Sequence, residues 1–304
     1  MTSKPIELRL WRQFATLAEE LHFGRAAQRL HMTQPPLTQA IAQLERSLGV
    51  PLFDRTKRSV RLTAAGAALL PEARDLLARA AALPGRARAA AQGEIGSLRL
   101  AFVSTVGFGP LPGWVRGFRQ AHPQVALELV EATSDVQAEL LARGEIDAGF
   151  VLHSPGALPA ALEHLAVSTE PMVLAVPHAH PLAGARTPAA AQVLAEPLVI
   201  FPRRIAPSLY DAVFRLYQAA GREPQVAQEA IQMQTIVNLV SAGLGLAWVP
   251  DSVRRFQREG VTYRPLRALA GHAVPRCETS LAWRGEPGAV LARFLAFVRS
   301  ESRG

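Results

Sequence analysis

Apolar residues near the start of the chain recur at the spacing of amphipathic helices. The apolar faces of a first and a third helix both follow steps of four, three and four residues. These faces consist of Leu10, Phe14, Leu17 and Leu21 in the first helix and of Leu37, Ile41, Leu44 and Leu48 in the third. A short second helix is predicted over residues 24–30, followed by a tight turn at His31 and Met32. This order predicts a helix-turn-helix.

The third helix has defined ends and an unusual polar face. Thr33 is a candidate N-cap, prolines fit the first turn that follows it, and Gly49 closes the helix. Uncharged hydrogen-bonding groups stand where a solvated helix usually carries Glu and Lys. The face consists of Gln34, Thr38, Gln39, Ala42 and Arg46. Gln pairs with adenine and Thr contacts a thymine methyl, so the face suits base edges in the major groove, although an ordinary polar surface would show the same residues.

A basic hairpin is predicted directly after this helix. Residues 52–55 and 59–62 read as two short strands around the turn Thr56-Lys57-Arg58. Four basic residues, Arg55, Lys57, Arg58 and Arg61, stand there against one Asp. Such a wing can clamp phosphates or enter a minor groove. A helix-turn-helix followed by a basic wing predicts a DNA-binding module.

A long helix is predicted after Thr63, which is placed to cap it. Its apolar residues follow steps of four, three, four and three, the seam of a coiled-coil pair: Leu69, Ala73, Leu76, Ala80 and Leu83. The same stripe would also pack on its own domain. Pro84-Gly85 predicts a kink or a stop at residue 83. A dimer would present two recognition helices, so the expected target is an interrupted inverted repeat in double-stranded DNA.

From residue 94 onward, apolar strands alternate with helices. Strands are predicted at 98–103, 125–130, 146–151, 172–176, 198–201, 246–249, 263–266 and 280–283, and helices at 111–120, 135–143, 187–194, 208–219, 233–241 and 290–298. This order is typical of an open, mostly parallel α/β sheet, here in two lobes joined by two crossings. Ligands bind such sheets at the carboxyl ends of the strands, which predicts a site in the cleft.

Polar residues at strand ends and helix starts are the candidate ligand contacts, because free N–H groups there favour anions. They are Ser104, Thr105, Thr133 and Ser134 in one lobe and Pro202, Arg203, Arg204 and Ser208 in the other. Each has an ordinary alternative, since Thr133, Ser134 and Ser208 would serve as caps and the arginines as solvated side chains. Convergence from both lobes favours a small organic acid with an Arg or a helix terminus opposite its carboxylate.

The charge is unevenly divided. The chain has 33 Lys and Arg against 25 Asp and Glu, a net charge of +8, which favours a polyanionic partner. Residues 1–94 hold 14 basic and 8 acidic side chains, so most of the excess lies on the predicted DNA-binding end. The single cysteine, Cys277, excludes an intramolecular disulfide and a CxxC pair, and no apolar run approaches a membrane span. A cytoplasmic location is therefore expected, with no cofactor besides the small-molecule inducer.

Two other classes of protein fit less well. No G-x-S-x-G elbow, P-loop or strand-linked G-x-G-x-x-G is present, and His178-Ala-His180 has no neighbouring carboxylate or cysteine to complete a metal set, so an enzyme is not expected. A free-standing solute-binding protein would account for the cleft but not for the basic helix-turn-helix, and it would normally carry an export signal.

The run AAQRLHMTQPPLTQAIAQLERSLGVPLFDRTKRSVRLTAAG resembles the N-terminal signature of the LysR-type transcriptional regulators. In that family the residues matching Gln34, Pro35, Thr38 and Gln39 face DNA, Gln39 standing where many members carry Arg, and those matching Arg55 and Arg58 contact it from the wing. The segments GEIDAGF, HPLA and SAGLGLAWVP resemble those of the family's effector domain. The positions matching Ser104 and Ser134 line the inducer site in relatives that respond to aromatic or muconate-like acids.

The resemblance implies an architecture and a set of partners. An all-α winged helix-turn-helix (residues 1–63) and a linker, or dimerisation, helix (64–93) precede an effector domain (94–304) built like periplasmic binding proteins. Lobe I is expected at about 94–168 and 267–304, and lobe II at about 169–266. The family implies a homo-oligomer, a tetramer, which contacts RNA polymerase if it is an activator. Closure of the cleft on a small acid would rearrange the subunits and change the bend of the DNA.

Overall fold

The computed structural model describes residues 5–56, 59–158, 161–185, 188–266 and 268–301. The chain divides into two compact units, Met1–Arg88 and Ala89–Gly304. The boundary falls inside a single long helix.

The first unit is a winged helix-turn-helix. Its elements are α1 (Leu8–Glu20), α2 (Phe23–Arg29), α3 (Gln34–Leu48), β1 (Phe53–Arg55), β2 (Val60–Leu62) and the start of α4 (Ala64–Ala91). β1 and β2 pair antiparallel, with Phe53 opposite Leu62. The predicted apolar faces meet in one core, in which Phe14, Leu17, Leu37, Ile41 and Leu44 are fully buried.

The first helix ends earlier than its apolar spacing predicted. Leu21 was expected on the buried face, but it closes α1 in the left-handed conformation, with φ of 47°, and its side chain is exposed. Once the chain leaves the helix, the spacing of four residues no longer returns a side chain to the same face. The prediction for Leu21 was therefore wrong, while Gly49 ends α3 as expected.

α4 continues through Pro71 and Pro84 to Ala91, so of the two predicted alternatives the stop at residue 83 was wrong, and the kink there stays a prediction. A proline removes one N–H group and crowds the preceding turn, which bends a helix without necessarily ending it. Within α4 only Gly66 and Ala73 are buried, whereas Leu76 and Leu83 are 43% and 61% exposed. The second half of the apolar stripe is thus left uncovered in this chain.

The second unit is an α/β domain of two lobes. Its elements are β3 (Gly96–Phe102), α5 (Leu111–Ala121), β4 (Val125–Glu131), α6 (Ser134–Arg143), β5 (Ala148–His153), β6 (Glu163–Pro177), α7 (Pro181–Gly184), α8 (Ala190–Val193), β7 (Leu198–Ile200), α9 (Pro207–Gln218), β8 (Val226–Glu229), α10 (Met233–Ser241), β9 (Ala247–Pro250), β10 (Val261–Arg264), β11 (Ala268–Leu269), β12 (His272–Ala273), β13 (Arg276–Trp283) and α11 (Ala289–Glu301). A short 3₁₀ helix follows β3, at Ser104–Phe108, and another follows β9, at Asp251–Arg255.

One strand runs through both lobes. The first part of β6 pairs with β13 in lobe I, and its last residues, from Met172 onward, pair with β9 and β10 in lobe II. In lobe I, β3 lies parallel to both β4 and β5, and β13 lies antiparallel to β5. In lobe II, β7 lies parallel to β8 and a bridge from Leu198 to Leu246 joins it to the start of β9. The chain returns to lobe I through the β11–β12 hairpin, which confirms the two-lobed fold.

Two of the largest departures from the predicted strands occur where burial is low. β8 was not predicted, because its four residues are all exposed and lack the apolar signal of a strand. β6 extends nine residues before the predicted start for the same reason, since its first half alternates between exposed and partly buried positions. The helix expected at 187–194 is reduced to α8, and Thr187 lies outside the described residues.

Most of the interior of the second unit is a large apolar core shared by the two lobes, beside a smaller cluster of Ala101, Leu141 and Ile146. Cys277 is fully buried in it, and this burial raises the pKa of its thiol well above the ordinary value. A buried thiol with a raised pKa is a poor nucleophile. None of the helices in the described part of the chain is long and apolar enough to cross a membrane.

Candidate functional site

The polar face of α3 stands at the start of that helix, on the outside of the first unit. Gln34, Pro35 and Gln39 are exposed and Thr38 is half-buried. The Thr38 hydroxyl donates to the Gln34 carbonyl oxygen at 3.1 Å, so it offers a neighbour only its methyl group and its acceptor lone pairs. Thr33 occupies the N-cap position with extended backbone angles, but its side chain makes no capping hydrogen bond. Apart from the Thr38 hydroxyl proton, the polar groups of these side chains are therefore available to a partner.

Glu45 on α3 holds the wing in place. One carboxylate oxygen accepts hydrogen bonds from the backbone N–H groups of Leu52 and Phe53, at 2.9 and 3.2 Å. The other oxygen binds the guanidinium group of Arg55, which also lies over the Phe23 ring, 5.3 Å from its centroid. Arg55 was predicted as a DNA contact, and the structure gives it a fixed place between α2, α3 and β1. The role of Glu45 was missed, because no local pattern links a helix residue to a strand that follows it.

Ion pairs decide which positive charges of the first unit remain available. Glu19 and Glu20 pair with arginines of α2 and α4, namely Arg25, Arg29 and Arg74. Among the described residues, Arg46 at the end of α3 and Arg61 on β2 form no ion pair, and both are exposed. Lys57 and Arg58, both predicted contacts, lie outside the described residues. Uncompensated positive charge therefore flanks the polar face of α3.

Replacing Arg61 with alanine is expected to weaken DNA binding mainly through the salt-dependent part of the affinity. A side chain that neutralises one phosphate contributes about 0.9 to the slope of log K against log salt concentration. Titration of a labelled duplex at several salt concentrations should therefore give a slope reduced by about 1 for Arg61→Ala. Arg74→Ala, whose guanidinium group is engaged by Glu19, is the matched control and should keep the wild-type slope. Equal slopes for Arg61→Ala and the wild type would exclude Arg61 from the interface.

Three helix starts converge on the cleft between the lobes of the second unit. They are the 3₁₀ helix at Ser104, α6 at Ser134 and α10 at Met233, and together they line a cavity of about 40 Å³, the polar chamber. Ser104, Thr105, Thr133, Ser134 and Gln232 supply its polar side chains, and no charged side chain of the described residues lines it. The first N–H groups of each helix have no intrahelical acceptor, so the chamber combines hydroxyl groups with unpaired backbone donors.

Among the described residues, hydrogen bonds cross the cleft at three places. The Ser104 hydroxyl donates to the side-chain oxygen of Gln232 at 2.7 Å. Ser154 and Ser208 exchange two hydrogen bonds, at 3.0 and 2.9 Å. The Arg255 guanidinium group donates to the Phe108 carbonyl oxygen at 2.8 Å. The lobes are therefore held together in this structure with the polar chamber nearly filled by its own side chains.

A second, larger cavity adjoins the polar chamber. This cavity, the apolar chamber, has a volume of about 270 Å³ and lies between α6, the end of β5 and the start of α9. Its walls are mostly aliphatic, with Leu141, Val151, Leu152, Leu158, Leu162 and Ile205. Four residues line both chambers: Ser134, Leu152, Ile205 and Ala206.

The predicted ligand contacts divide among these surroundings. Ser104, Thr105, Thr133 and Ser134 line the polar chamber, whereas Arg204 and Ser208 line the apolar chamber. Pro202 and Arg203 line neither. Arg203 donates two hydrogen bonds to the carboxylate of Asp211, both at 2.8 Å, and this contact lowers the pKa of Asp211. Of the two predicted arginines, the structure leaves only Arg204 beside the cavities, 3.8 Å from Asp135.

Two glutamines were missed by the sequence reasoning. Gln232 occupies the N-cap position of α10, and the rule that selected Thr133 would have selected it as well. Gln137 is fully buried on α6 and donates to the carbonyl oxygens of Ala132 and Phe150, which fixes the segment leading into Ser134. Its position follows only from packing, since Gly149 leaves the space that its side chain occupies.

The paired histidines serve the local fold. The Nδ1 atom of His180 accepts a hydrogen bond from the backbone N–H of Leu182, and its Nε2 atom lies 3.4 Å from Glu196. His178 contacts the Thr262 hydroxyl at 3.0 Å. Within the described residues, no three His, Cys, Asp or Glu side chains come together as a metal site.

Comparison with known proteins assigns a family to each part of the chain. Residues 8–67 match the family described as "Bacterial regulatory helix-turn-helix protein, lysR family", and residues 91–303 match "LysR substrate binding domain". The chain is 47% identical over 286 residues to the HTH-type transcriptional regulator IlvR of Caulobacter vibrioides, covering 93% of this chain and 94% of IlvR. It is 41% identical over 266 residues to the regulator AlsR of Bacillus subtilis, covering 86% of each.

A solved structure agrees over nearly the whole length. The chain resembles full-length CbnR in complex with its target DNA, with a TM-score of 0.80 and 32% identity, covering 98% of this chain and 100% of CbnR. The helix-turn-helix, its wing, the long helix and the two-lobed α/β domain thus occur together in proteins that regulate transcription and are not enzymes. The chain belongs to the LysR family of transcriptional regulators, with an N-terminal DNA-binding domain and a C-terminal substrate-binding domain.

Proposed function

We propose that this regulator is controlled by a small organic acid whose carboxylate binds in the polar chamber. The supporting observation is the convergence of three helix starts and four Ser or Thr side chains on a chamber that is lined by no acidic side chain of the described residues. Helix N-termini carry partial positive charge and unpaired N–H groups, which stabilise an anion. A carboxylate also accepts hydrogen bonds from serine and threonine hydroxyl groups.

Binding of the acid is coupled to the arrangement of the lobes. The Ser104 hydroxyl, which donates to Gln232 across the cleft, can instead donate to a carboxylate. A ligand that binds one lobe arrangement better shifts the population toward it by the difference in affinity. The effector therefore replaces a direct bond between the lobes with a bridge through its own carboxylate, and that exchange changes the shape of the domain.

The DNA-bound form is an oligomer. Leu76 and Leu83 on α4 are exposed in the single chain and follow the coiled-coil spacing, so α4 pairs with α4 of a second subunit. Two recognition helices then read an interrupted inverted repeat, with Gln34, Pro35, Thr38 and Gln39 toward the bases and Thr33, Arg55, Lys57 and Arg58 toward the backbone. A dimer pairs further into a tetramer, and the effector changes DNA bend and contact with RNA polymerase.

The double substitution Ser104→Ala and Ser134→Ala tests the effector site. We expect the wild-type protein to gain thermal stability with carboxylic acids in a panel of aromatic and aliphatic members, because a ligand specific for the folded state stabilises it by mass action. The double variant should lose this gain and keep its affinity for duplex DNA. Loss of DNA binding would instead indicate that both serines are structural, and an unchanged thermal response would place the acid elsewhere.

A further inference from the structure

We propose that the effector is a monocarboxylic acid with one apolar body, which lies in the apolar chamber while its carboxylate reaches into the polar chamber. The inference rests on the function proposed above and specifies the class of acid. It excludes dicarboxylates as the preferred ligands, although a muconate-like acid was among the expectations from the sequence.

The sizes of the two chambers indicate that the apolar body and the carboxylate of the acid lie in different chambers. A cavity of about 40 Å³ is several times smaller than the roughly 150 Å³ of a cavity that holds benzene, so it accepts a carboxylate group but not the body of an organic acid. A dry cavity of about 150 Å³ binds benzene, and the apolar chamber is larger, at about 270 Å³. The apolar chamber therefore accommodates one aromatic ring or a branched alkyl chain with the lobes as they stand.

The position of the chambers allows one molecule to occupy both. Ser134, Leu152, Ile205 and Ala206 line each of them, so the two spaces adjoin along these four residues. Ala138 on α6 and Ala157 after β5 line the apolar chamber and are exposed to solvent. An acid can enter past these small side chains with its carboxylate leading toward the start of α6.

The charges around the apolar chamber disfavour a second carboxylate. Asp135 lines it, and one of its carboxylate oxygens is buried without a hydrogen-bond partner among the described residues, while the other faces Arg204. A second ligand carboxylate would compete with Asp135 for Arg204, which is 63% exposed and is the only arginine lining this chamber among the described residues.

His153 provides no alternative partner for a second carboxylate. Its two ring nitrogens already contact the Ser154 carbonyl oxygen, at 2.8 Å, and the Ser280 hydroxyl, at 3.0 Å. Glu278 lies 3.7 Å from the same ring and adds further negative charge. Burying an uncompensated carboxylate beside Asp135 and Glu278 is unfavourable, whereas an apolar group gains from the aliphatic walls.

Calorimetric titration of the full-length protein with acetate, propanoate, butanoate, hexanoate, adipate and 3-phenylpropanoate tests the proposal. We expect the affinity to rise about fourfold for each methylene buried, the factor that corresponds to about 0.8 kcal/mol. Hexanoate and adipate have the same number of carbons and differ in one terminal carboxylate. Adipate should bind at least about tenfold more weakly.

A pair of substitutions on α6 tests whether the apolar body of the acid lies in the apolar chamber. Ala138→Phe puts a ring at the mouth of the apolar chamber and should weaken binding of 3-phenylpropanoate about tenfold or more, with acetate unaffected. Ala142→Phe is the matched control, since Ala142 is exposed on the same helix but does not line the chamber. It should bind both acids like the wild type.

The outcomes separate this inference from the function on which it rests. Three outcomes would each overturn the proposed class of acid: adipate binding as tightly as hexanoate, affinity independent of chain length, or equal effects of Ala138→Phe and Ala142→Phe. None of them would contradict the proposed function, that an organic acid controls the regulator. If none of the acids binds the wild-type protein, the proposed function fails as well.

Discussion

Substituting alanine for Gly66 is expected to destabilise the DNA-binding unit by roughly 3 kcal/mol, the upper part of the range for overpacking a tight site. A Cβ atom at this position would lie 2.2 Å from the Leu52 carbonyl oxygen and 2.9 Å from a methyl carbon of Leu62. The same Leu52 carbonyl accepts from the Thr63 N–H group, and Thr63 caps α4 through the Gly66 N–H group. The methyl group would therefore push α4 away from the wing.

Hydrogen exchange followed by mass spectrometry measures this loss, because peptides from α3 and the wing report the local opening free energy. The affinity for duplex DNA should fall with it, since Leu52 and Phe53 are the residues through which Glu45 holds the wing. Gly85→Ala is the matched control on the same helix: a Cβ atom there meets nothing within 4 Å. That variant should gain up to about 1 kcal/mol of stability. Protection unchanged in Gly66→Ala would show that the wing yields without cost.

Gly245→Ala is expected to cost roughly 3 to 5 kcal/mol in the effector domain, because it combines backbone strain with a collision. Gly245 has φ of +153° and a Cβ atom there would lie 2.2 Å from the Pro197 carbonyl oxygen. That oxygen accepts from the Leu246 N–H group at 2.8 Å, beside the bridge that joins β7 to β9. The substitution would separate these strands and displace Phe201, which lines the polar chamber.

A substitution at Gly243, in the same turn, distinguishes the cost of backbone strain from the cost of the collision with Pro197. Its φ is +82°, but a Cβ atom there meets nothing within 4 Å, so Gly243→Ala carries the strain alone, about 1 to 2 kcal/mol. Thermal unfolding of both variants should place Gly245→Ala well below Gly243→Ala. Similar losses in the two proteins would mean that the turn moves away from Pro197 at little cost.

The spacing of apolar residues predicted most of the helices of the fold. α10 was predicted with the ends that the structure gives it, and α3, α6 and α9 within one residue, because each buries a periodic apolar face. Two of the predictions that failed concern positions without such a face. β8 is exposed along its whole length, and Leu21 continues the spacing of α1 after the helix has ended.

The polar contacts of the sites were only partly accessible from the sequence. Ser104 and Ser134 were found because strand ends and helix starts can be located by local rules, and Gln232 could have been found in the same way. The pairing of Arg203 with Asp211 could not, although the two residues are close in sequence. Whether an arginine faces a cavity or a neighbouring carboxylate depends on distances that only packing defines.

The sequence by itself determined that a basic helix-turn-helix precedes a two-lobed α/β domain, because burial of apolar surface has a period that can be counted along the chain. The tertiary structure alone decided which charges stay free and what shape the cleft has. Glu45 engages Arg55 and Asp211 engages Arg203, whereas Arg46 and Arg61 form no ion pair among the described residues and Arg204 lies beside the apolar chamber, 3.8 Å from Asp135. The division of the cleft into a polar and an apolar chamber is likewise decided by packing, since hydrogen bonds and cavity volumes depend on distances of a few ångströms between segments far apart in sequence.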